Sequence, residues 1–412
     1  MNNVGIILQK FGGTSVGSTE KIKQAAKKII ATVEAGHEVV AVVSAMGKQT
    51  DELVALAAGI TERPSKREMD VLLTTGEQVT ISLLAMALQE EGYEAQSFTG
   101  WQAGIETEPV HGNARIAAID PQQLQNSLQA GKIPIVAGFQ GVTTEQHITT
   151  LGRGGSDTTA VALAAVLRAD VCEIYTDVSG VYTADPRVIP TAQKLKRISY
   201  DEMLELANLG AGVLHPRAVE FAKNYGITLE VRNSASDERG TIVEEDVQME
   251  NGTIVRGLAF EGNVTKLTLR QLPSREDTLA NVFTLLAQHG INVDIIIQSV
   301  NEEKTDLSFS IDSTLLTETV SLLTSHQASL GYEKLIEQGE LAKVSIVGSG
   351  MISNHGVAAT MFRALAEKNV FIKMVSTSEI KVSAVVPQAD MVKAIETLHD
   401  VFQLDAREVV PS

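Results

Sequence analysis

The stretch Leu151-Gly152-Arg153-Gly154-Gly155-Ser156-Asp157-Thr158-Thr159 runs straight into an alanine-rich apolar run over residues 160–167. This junction constrains the fold more than any other, because a glycine-rich, charged turn must open a helix apolar enough to be buried. The glycines permit positive φ and close backbone approach. Ser156 or Asp157 is placed to cap the helix, leaving other amide N–H groups facing outward as an anion site. Arg153 adds a planar fork suited to a carboxylate or phosphate. Asp157 adds a charge able to hold an ammonium group or to position another catalytic side chain.

The same order of strand, polar turn and helix recurs along the first half. Residues 4–8 are a short apolar run, followed by Gln9-Lys10-Phe11-Gly12-Gly13-Thr14-Ser15-Val16-Gly17. Ile22, Ala25, Ala26, Ile29, Ile30 and Val33 then recur at helical spacing, with Ser18 as the cap and Gly36 as the stop. The turn is not a P-loop, because its lysine precedes the glycines and no Gly-Lys-Ser/Thr closes it. Lys10 at the strand's end can reach the β- and γ-phosphates of a nucleotide while the Gly12 and Gly13 amides cradle them. Residues 39–44 form a continuous β-branched run typical of a buried parallel strand, and end in Ser44-Ala45-Met46-Gly47-Lys48-Gln49-Thr50-Asp51. Leu72-Leu73-Thr74-Thr75-Gly76-Glu77 leads into a further helix with Glu77 in its first turn, where the helix dipole favours an acid. Residues 133–139 and 171–175 are two more strands, each followed by a polar turn. Such alternation predicts an α/β layer structure with a mostly parallel sheet, in which ligands bind beyond the carboxyl ends of the strands.

With 412 residues the chain divides into two or three domains. A net charge of −17 argues against a nucleic-acid or anionic-membrane surface, while a few local cations can still bind a polyphosphate, so small-molecule chemistry fits better. Cys172 is the only cysteine, so neither an intrachain disulfide nor a cysteine metal cluster is available. No apolar run approaches membrane-spanning length, and the first ten residues lack the regions of a signal peptide, which points to the cytoplasm. His37, His111, His147 and His215 are scattered singly, as structural or solvated histidines are.

After Ser234-Ala235-Ser236-Asp237-Glu238-Arg239-Gly240 and the polar run 244–252 the character changes. Strand, helix, strand, strand, helix is read over residues 264–325 and again over 342–399, so two βαββαβ units follow one another. Gly290-Ile291-Asn292-Val293-Asp294 and Lys368-Asn369-Val370-Phe371-Ile372 match across the repeat. The expected organisation is a catalytic domain over 1–245, a linker and joining strand over 246–263, and two units over 264–338 and 339–412.

Five ordered motifs now stand together: Lys10-Phe11-Gly12-Gly13-Thr14-Ser15, Ser44-Ala45-Met46-Gly47, Thr75-Gly76-Glu77, Gly152-Arg153-Gly154-Gly155-Ser156-Asp157 and Val181-Tyr182-Thr183-Ala184-Asp185-Pro186-Arg187. The set resembles that of the aspartate kinases, and the tail resembles tandem ACT domains. The resemblance covers nearly the whole chain and is similar to the monofunctional bacterial enzymes of the diaminopimelate–lysine pathway. It implies a three-layer α/β domain of amino-acid-kinase type followed by two ferredoxin-like ACT domains. The implied reaction makes 4-phospho-L-aspartate from ATP and L-aspartate with Mg²⁺ held by phosphates and water rather than by a dedicated cage. Carried over by motif, Lys10, Phe11, Gly12, Gly13, Thr176, Asp177, Tyr182 and Arg187 fall on the nucleotide side. Ser44, Thr50, Glu77, Arg153, Ser156 and Asp157 fall on the aspartate side. Lys10 and Asp157 are the catalytic pair. Some relatives carry a nucleotide-contacting lysine where Gly212 stands, so that contact has no counterpart here.

The tail implies feedback by lysine, alone or with threonine. Ser274 and Asn354 lie in loops suited to an effector α-carboxylate, Asp294 and Glu379 could take its ammonium groups, and Gln298 and Ser378 add neutral hydrogen bonds. A homo-oligomer is expected, or an α2β2 assembly whose short subunit starts internally at Met249. Two other classes remain open at this level: an amino-acid kinase for glutamate, N-acetylglutamate or carbamate, and a non-catalytic amino-acid sensor.

Overall fold

The computed structural model describes residues 5–210, 212–245, 254–301 and 304–405. The chain forms two compact units: residues 1–182, 194–208 and 212–249 make the first, and 183–193, 209–211 and 250–412 the second. Met249 lies outside the described residues.

In the first unit β1 (Ile6–Phe11), α1 (Thr19–Glu34) and β2 (Glu38–Val43) follow as the periodicity predicts, with the Ser18 hydroxyl accepting from the Lys21 N–H and Gly36 at φ 94° after the last turn. Then come α2 (Gln49–Ala58), α3 (Lys66–Leu73), α4 (Thr75–Glu90) and β3 (Ala95–Phe98). A small sheet is built from β4 (Ile105–Thr107), β5 (Ile116–Ile119), β7 (Gln140–Val142) and β8 (Ile148–Thr150). Between its parts lie α5 (Gln122–Gln129) and β6 (Ile133–Ala137). The unit closes with α6 (Gly155–Leu167), β9 (Val171–Thr176), β10 (Arg197–Ser199), α7 (Tyr200–Asn208), α8 (Pro216–Tyr225), β11 (Leu229–Asn233) and β12 (Thr241–Glu244).

The main sheet has the order β10-β12-β11-β9-β1-β2-β6-β3 and is parallel except where β12 runs against β11. β1 lies at its centre. Alternation along this strand sorts its side chains: Phe11 joins the core formed with α1 and α4, whereas Lys10 points to the opposite face, where α6 packs. Two helical layers on one parallel sheet give the three-layer structure that the strand and helix alternation predicts.

Residues Lys66–Glu90 together have the length and mean hydropathy of a membrane span, contrary to the expectation that no run approaches it. The run is interrupted at Thr74, which ends α3 and opens α4, and it holds Asp70 and Glu77 buried in polar contacts. These are features of a core element, since a lipid-facing helix cannot satisfy such carboxyls.

The second unit contains β13 (Gly257–Pro273), α9 (Thr278–Gln288), β14 (Ile296–Asn301), β15 (Lys304–Asp312), α10 (Leu316–Ser325), α11 (Gln327–Leu330) and β16 (Lys334–Val347). α12 (Val357–Glu367), β17 (Met374–Thr377), β18 (Lys381–Pro387) and α13 (Met391–Val401) follow. All six strands form one antiparallel sheet in the order β14-β15-β13-β16-β18-β17. β13 and β16 each serve both repeats. Residues 264–273 and 334–338 flank the first repeat as its first and fourth strands. Residues 257–261 pair with 343–347 and so supply the fourth strand of the second repeat from a position before the first repeat begins. The two units therefore interlock through a strand exchange rather than simply following one another. Periodicity locates three strands per repeat and misses both closing strands. Residues 334–340 are largely exposed and lack an apolar alternation, and no local signal identifies the partner of 257–261.

Candidate active site

Lys10 is the next-to-last residue of β1, Asp157 sits in the first turn of α6, and their Nζ and Oδ1 atoms lie 2.5 Å apart. Their side chains are only 10% and 14% exposed, so this is a partly desolvated pair at the carboxyl edge of the sheet. Of the two partners open to Asp157 in the sequence, Lys10 is the one at hand. The expected cap is corrected by the structure: neither Ser156 nor Asp157 caps α6, whose N-cap is Gly154 at φ 69° without a side-chain hydrogen bond. The Asp157 carboxylate turns to the lysine instead, which leaves the first amides of the helix free of a side-chain acceptor.

Glycines bring the loops together. The Gly12 N–H donates to the Tyr175 carbonyl at 3.1 Å, and the Phe11 and Tyr175 rings stack at 4.8 Å, which fixes the turn to β9. The Gly47 N–H donates to the Gly13 carbonyl at 3.0 Å, and a Cβ on Gly13 would lie 3.0 Å from the Ala45 carbonyl oxygen. The Ser44 N–H donates to the Phe11 carbonyl, and Thr50 stands in the first turn of α2. Thus the loops assigned from sequence to phosphate and to aspartate are in direct contact.

Glu77 is buried at the start of α4 and accepts from the Ala45 N–H at 3.2 Å, while its Oε2 has no hydrogen-bond partner among the described residues. Burial pushes its carboxyl up to about 7, against the lowering effect of backbone hydrogen bonds. The carboxyl is thus desolvated, with one oxygen free of hydrogen bonds among the described residues. Arg153, by contrast, is exposed and makes no ion pair with the described residues.

The loop around Arg153 is supported by residues the sequence reading left aside. Asp70 is fully buried and accepts from Thr150 Oγ1 at 2.6 Å and the Gly112 N–H at 3.1 Å, with His111 Nδ1 at 2.7 Å. Arg217 donates to the Leu151 carbonyl at 2.7 Å and the Ala114 carbonyl at 3.2 Å. His111 is thereby structural, as expected. His215 is structural as well: it caps α8 through Nδ1, and a Cβ on Gly154 would lie 2.1 Å from its Cγ. Its ring thus packs on the glycine loop beside Asp157. Burial lowers its pKa, and the Asp157 charge opposes that shift. The signal that could have found it is the proline at the start of α8, which makes the preceding histidine a cap. Ser156 is buried against Gly138, where a Cβ would approach its Oγ to 2.7 Å. Cys172 is buried, and desolvation pushes its thiol up, so it is inert.

The remaining nucleotide-side residues divide. Thr176 ends β9 and Asp177 follows it, with the Thr176 hydroxyl donating to Asp177. Tyr182 forms a bridge with Lys194 in the first unit, but Arg187 belongs to the segment that clusters with the second unit, where it forms a bidentate pair with Asp185. Gly212 has φ 66°, a left-handed conformation that a lysine would adopt only with strain. Among the described residues no three His, Cys, Asp or Glu side chains gather as a metal cage.

In the second unit Asp294 pairs with the Nζ of Lys343, which also lies 2.8 Å from Glu261 Oε2. Gln298 is on edge strand β14, Ser274 accepts from Thr305 at 3.4 Å, and Asn354 Nδ2 donates to the Gly350 carbonyl at 2.8 Å. Ser378 and Glu379 form the exposed turn between β17 and β18.

Residues 5–233 match the model of the amino acid kinase family, and residues 344–402 match an ACT domain. The chain is 64% identical over 401 residues to aspartokinase 2 of Bacillus subtilis, covering 97% of this chain and 98% of that one. It is 61% identical to the aspartokinase of Geobacillus stearothermophilus, again over 97% and 98% of the two chains. Among solved structures, E. coli aspartokinase III in complex with aspartate and ADP, in its R-state, superposes with a TM-score of 0.82 at 29% identity, over 96% of this chain and 99% of that one. The same enzyme with lysine and aspartate, in its T-state, gives 0.77 over the same shares. A Lys10–Asp157 pair at the head of a parallel sheet, glycine loops in contact around it and an interlocked ACT tail agree with these likenesses, and the chain belongs to the aspartokinase family.

Proposed function

We propose that this ATP-dependent phosphotransferase acts through Lys10 and Asp157, moving the γ-phosphoryl group of ATP to the β-carboxylate of L-aspartate to give 4-phospho-L-aspartate. The observation that carries the reading is the Lys10–Asp157 pair at 2.5 Å. The substrate carboxylate needs no base, since its reference pKa of about 3.9 leaves it ionised at neutral pH. Catalysis then consists of positioning and of offsetting charge on the transferring group. Lys10 supplies that charge from a strand end, and Asp157 keeps its ammonium aimed. A methyl group on Gly12 would stand 3.4 Å from Lys10 Nζ, so glycine there keeps the ammonium open to phosphate oxygens. Bound Mg²⁺ would neutralise phosphate charge, carried by the nucleotide's oxygens and water, with the Asp177 carboxylate at the end of β9 available to it.

On the acceptor side Glu77 takes the substrate ammonium on its Oε2, and Arg153, exposed and without an ion pair among the described residues, takes the α-carboxylate with its fork. Ser44, Thr50 and Ser156 supply neutral hydrogen bonds around them. Phe11 and Gly13 shape the phosphate turn, and Thr176, Tyr182 and Arg187 complete the nucleotide side. The deciding experiment measures ATP consumption against a panel of aspartate, glutamate, N-acetylglutamate and carbamate. Turnover with any of the others in preference to aspartate ends the assignment.

The enzyme is feedback-regulated through its ACT units, and the effector reading is lysine, alone or with threonine, bound near Ser274, Asp294, Gln298, Asn354, Ser378 and Glu379. Lys343 at Asp294 is the intramolecular counterpart of an effector ammonium. The assembly is read as an oligomer in the cytoplasm, with a short tail subunit started at Met249. Mass spectrometry of the protein expressed from its own gene should show both species, and a single full-length species disposes of the internal start.

A further inference from the structure

Asp70, Thr74 and Glu77 are spaced i, i+4 and i+7 across the junction of α3 and α4, so they fall on one face of the helical path. The path continues through the junction, because Thr74 has helical φ and ψ of −62° and −15° and its N–H donates to the Asp70 carbonyl at 3.2 Å. All three residues are buried. A face that carries two carboxyls into the interior must meet polar partners there.

Those partners sit side by side on one hairpin. Gln140 of β7 and Thr150 of β8 are opposite each other in antiparallel register, which puts their side chains on the same face of the small sheet. Gln140 Nε2 donates to the Thr74 carbonyl at 3.1 Å, and the Thr150 hydroxyl donates to Asp70 Oδ1 at 2.6 Å. Both side chains are in the interior, with Gln140 0% and Thr150 1% exposed. One cross-strand pair therefore grips the helical face at two points a turn apart, and Glu77 follows about one turn later. The rest of the Asp70 carboxylate is taken by the neighbouring turn: His111 Nδ1 lies 2.7 Å from Oδ2, and the Gly112 N–H reaches both oxygens at 3.1 Å. The same hairpin leads into the acceptor loop. Thr150 stands three residues before Arg153, and the Leu151 N–H between them donates to the Phe139 carbonyl at 2.8 Å.

We propose that Thr150 and Gln140, together with Asp70, are positioning residues for the acceptor amino acid: they lock the helix carrying Glu77 to the strand that leads into Arg153. They thereby set the holder of the substrate ammonium relative to the holder of its α-carboxylate. This rests on the assignment of Glu77 and Arg153 to those two groups. In an α-amino acid the ammonium and the carboxylate share one carbon, so their separation is fixed and a displaced holder forfeits part of its contact. Neither group takes part in bond making. Contacts to them are alike in the ground and transition states, and their loss appears in KM rather than in kcat.

The test uses the full-length protein, with kcat, both KM values and thermal stability measured for Thr150→Val, Thr150→Ser, Gln140→Met and Glu77→Gln. Thr150→Val keeps the shape and removes one buried hydrogen bond, so it should raise the aspartate KM about 3- to 10-fold with kcat and the ATP KM within about twofold. Thr150→Ser keeps the hydroxyl and should restore the aspartate KM. Gln140→Met should act in the same direction, and it carries the test should Thr150→Val fail to fold. The sharper measurement combines Thr150→Val with Glu77→Gln. Once the ammonium holder is gone its placement no longer matters, so the second change should raise the aspartate KM less than about twofold further. A folded Thr150→Val protein with unchanged aspartate KM, with both KM values raised together, or with a full additional effect beside Glu77→Gln overturns the proposal. Glu77→Gln alone separates the two layers. If it raises the aspartate KM while Thr150→Val does not, only the clamp fails. If it leaves the aspartate KM unchanged, the assignment of Glu77 to the ammonium falls and the proposal with it.

Discussion

The kinase unit and the ACT unit both bury lysines against carboxylates, but with opposite bookkeeping of partners. Around Lys10 the charges are incomplete: one lysine meets one aspartate, and the nearby Glu77 keeps an oxygen without a hydrogen-bond partner among the described residues. Around Lys343 they are complete, because one ammonium is flanked by Glu261 and Asp294. Burying an unpaired polar atom costs about 1–3 kcal/mol, and a substrate ammonium at Glu77, as proposed, would remove that cost. A lysine satisfied twice serves the fold, and the pairing holds its ammonium well protonated despite burial. The two lysines thus differ in that Lys343 has two carboxylate partners within the fold and Lys10 has one.

The strongest way to break this comparison is Lys10→Ala. The fold should persist, since the residue lies near the end of a strand, while kcat falls on the order of 10²–10³, the usual loss for one preorganised charge. A coupled assay beside circular dichroism measures both, and near-normal turnover in a folded protein removes Lys10 from the chemistry.

Next in size is the pH dependence of aspartate binding. Glu77 is raised from 4.5 to about 7, so the folded ligand-free protein holds this proton more tightly than the unfolded chain does. Raising the pH from 4.5 to about 7 therefore removes stability, and substrate ammonium compensates by binding the ionised form. The aspartate KM should rise as pH falls below about 7, approaching tenfold per pH unit, and Glu77→Gln should raise KM and flatten the slope. A slope that survives in Glu77→Gln belongs to another group.

Arg153→Lys sharpens the same half of the site with a smaller effect. It keeps the charge and loses the fork, so the aspartate KM should rise several-fold with the ATP KM unchanged. A selective change in the ATP KM would assign Arg153 to phosphate. The smallest effect on uninhibited turnover is expected in the tail. Asp294→Ala and Gln298→Ala should leave uninhibited turnover within about twofold and displace the lysine inhibition curve by an amount within the usual 5- to 150-fold of allosteric coupling. If neither displaces it, Asp294 serves only to hold Lys343.

The strand–turn–helix order of the kinase unit, Ser18 as a cap, the buried β2 and the turn at Lys10 were all legible in the sequence. Each is written in local spacing, in the glycines a turn requires, or in the contrast of period 2 with period 3.6. Partnership between distant residues was not legible. Whether Asp157 would cap its own helix or pair with Lys10 depended on β1 lying beside α6, 147 positions away in the pairing of residues 10 and 157. Asp70 with His111 and Thr150, and His215 against Gly154, join segments whose separation carries no periodic signal.

The tail shows the same boundary more sharply. Sequence alone determined that two similar units exist, because each repeats the apolar pattern of its own helices and strands. Only the tertiary structure decided that residues 257–261 close the second unit. Hydrogen-bonded strand edges are chemically alike, so register and partner are chosen by which apolar faces the whole sheet can bury at once, and that choice is made by the assembled core.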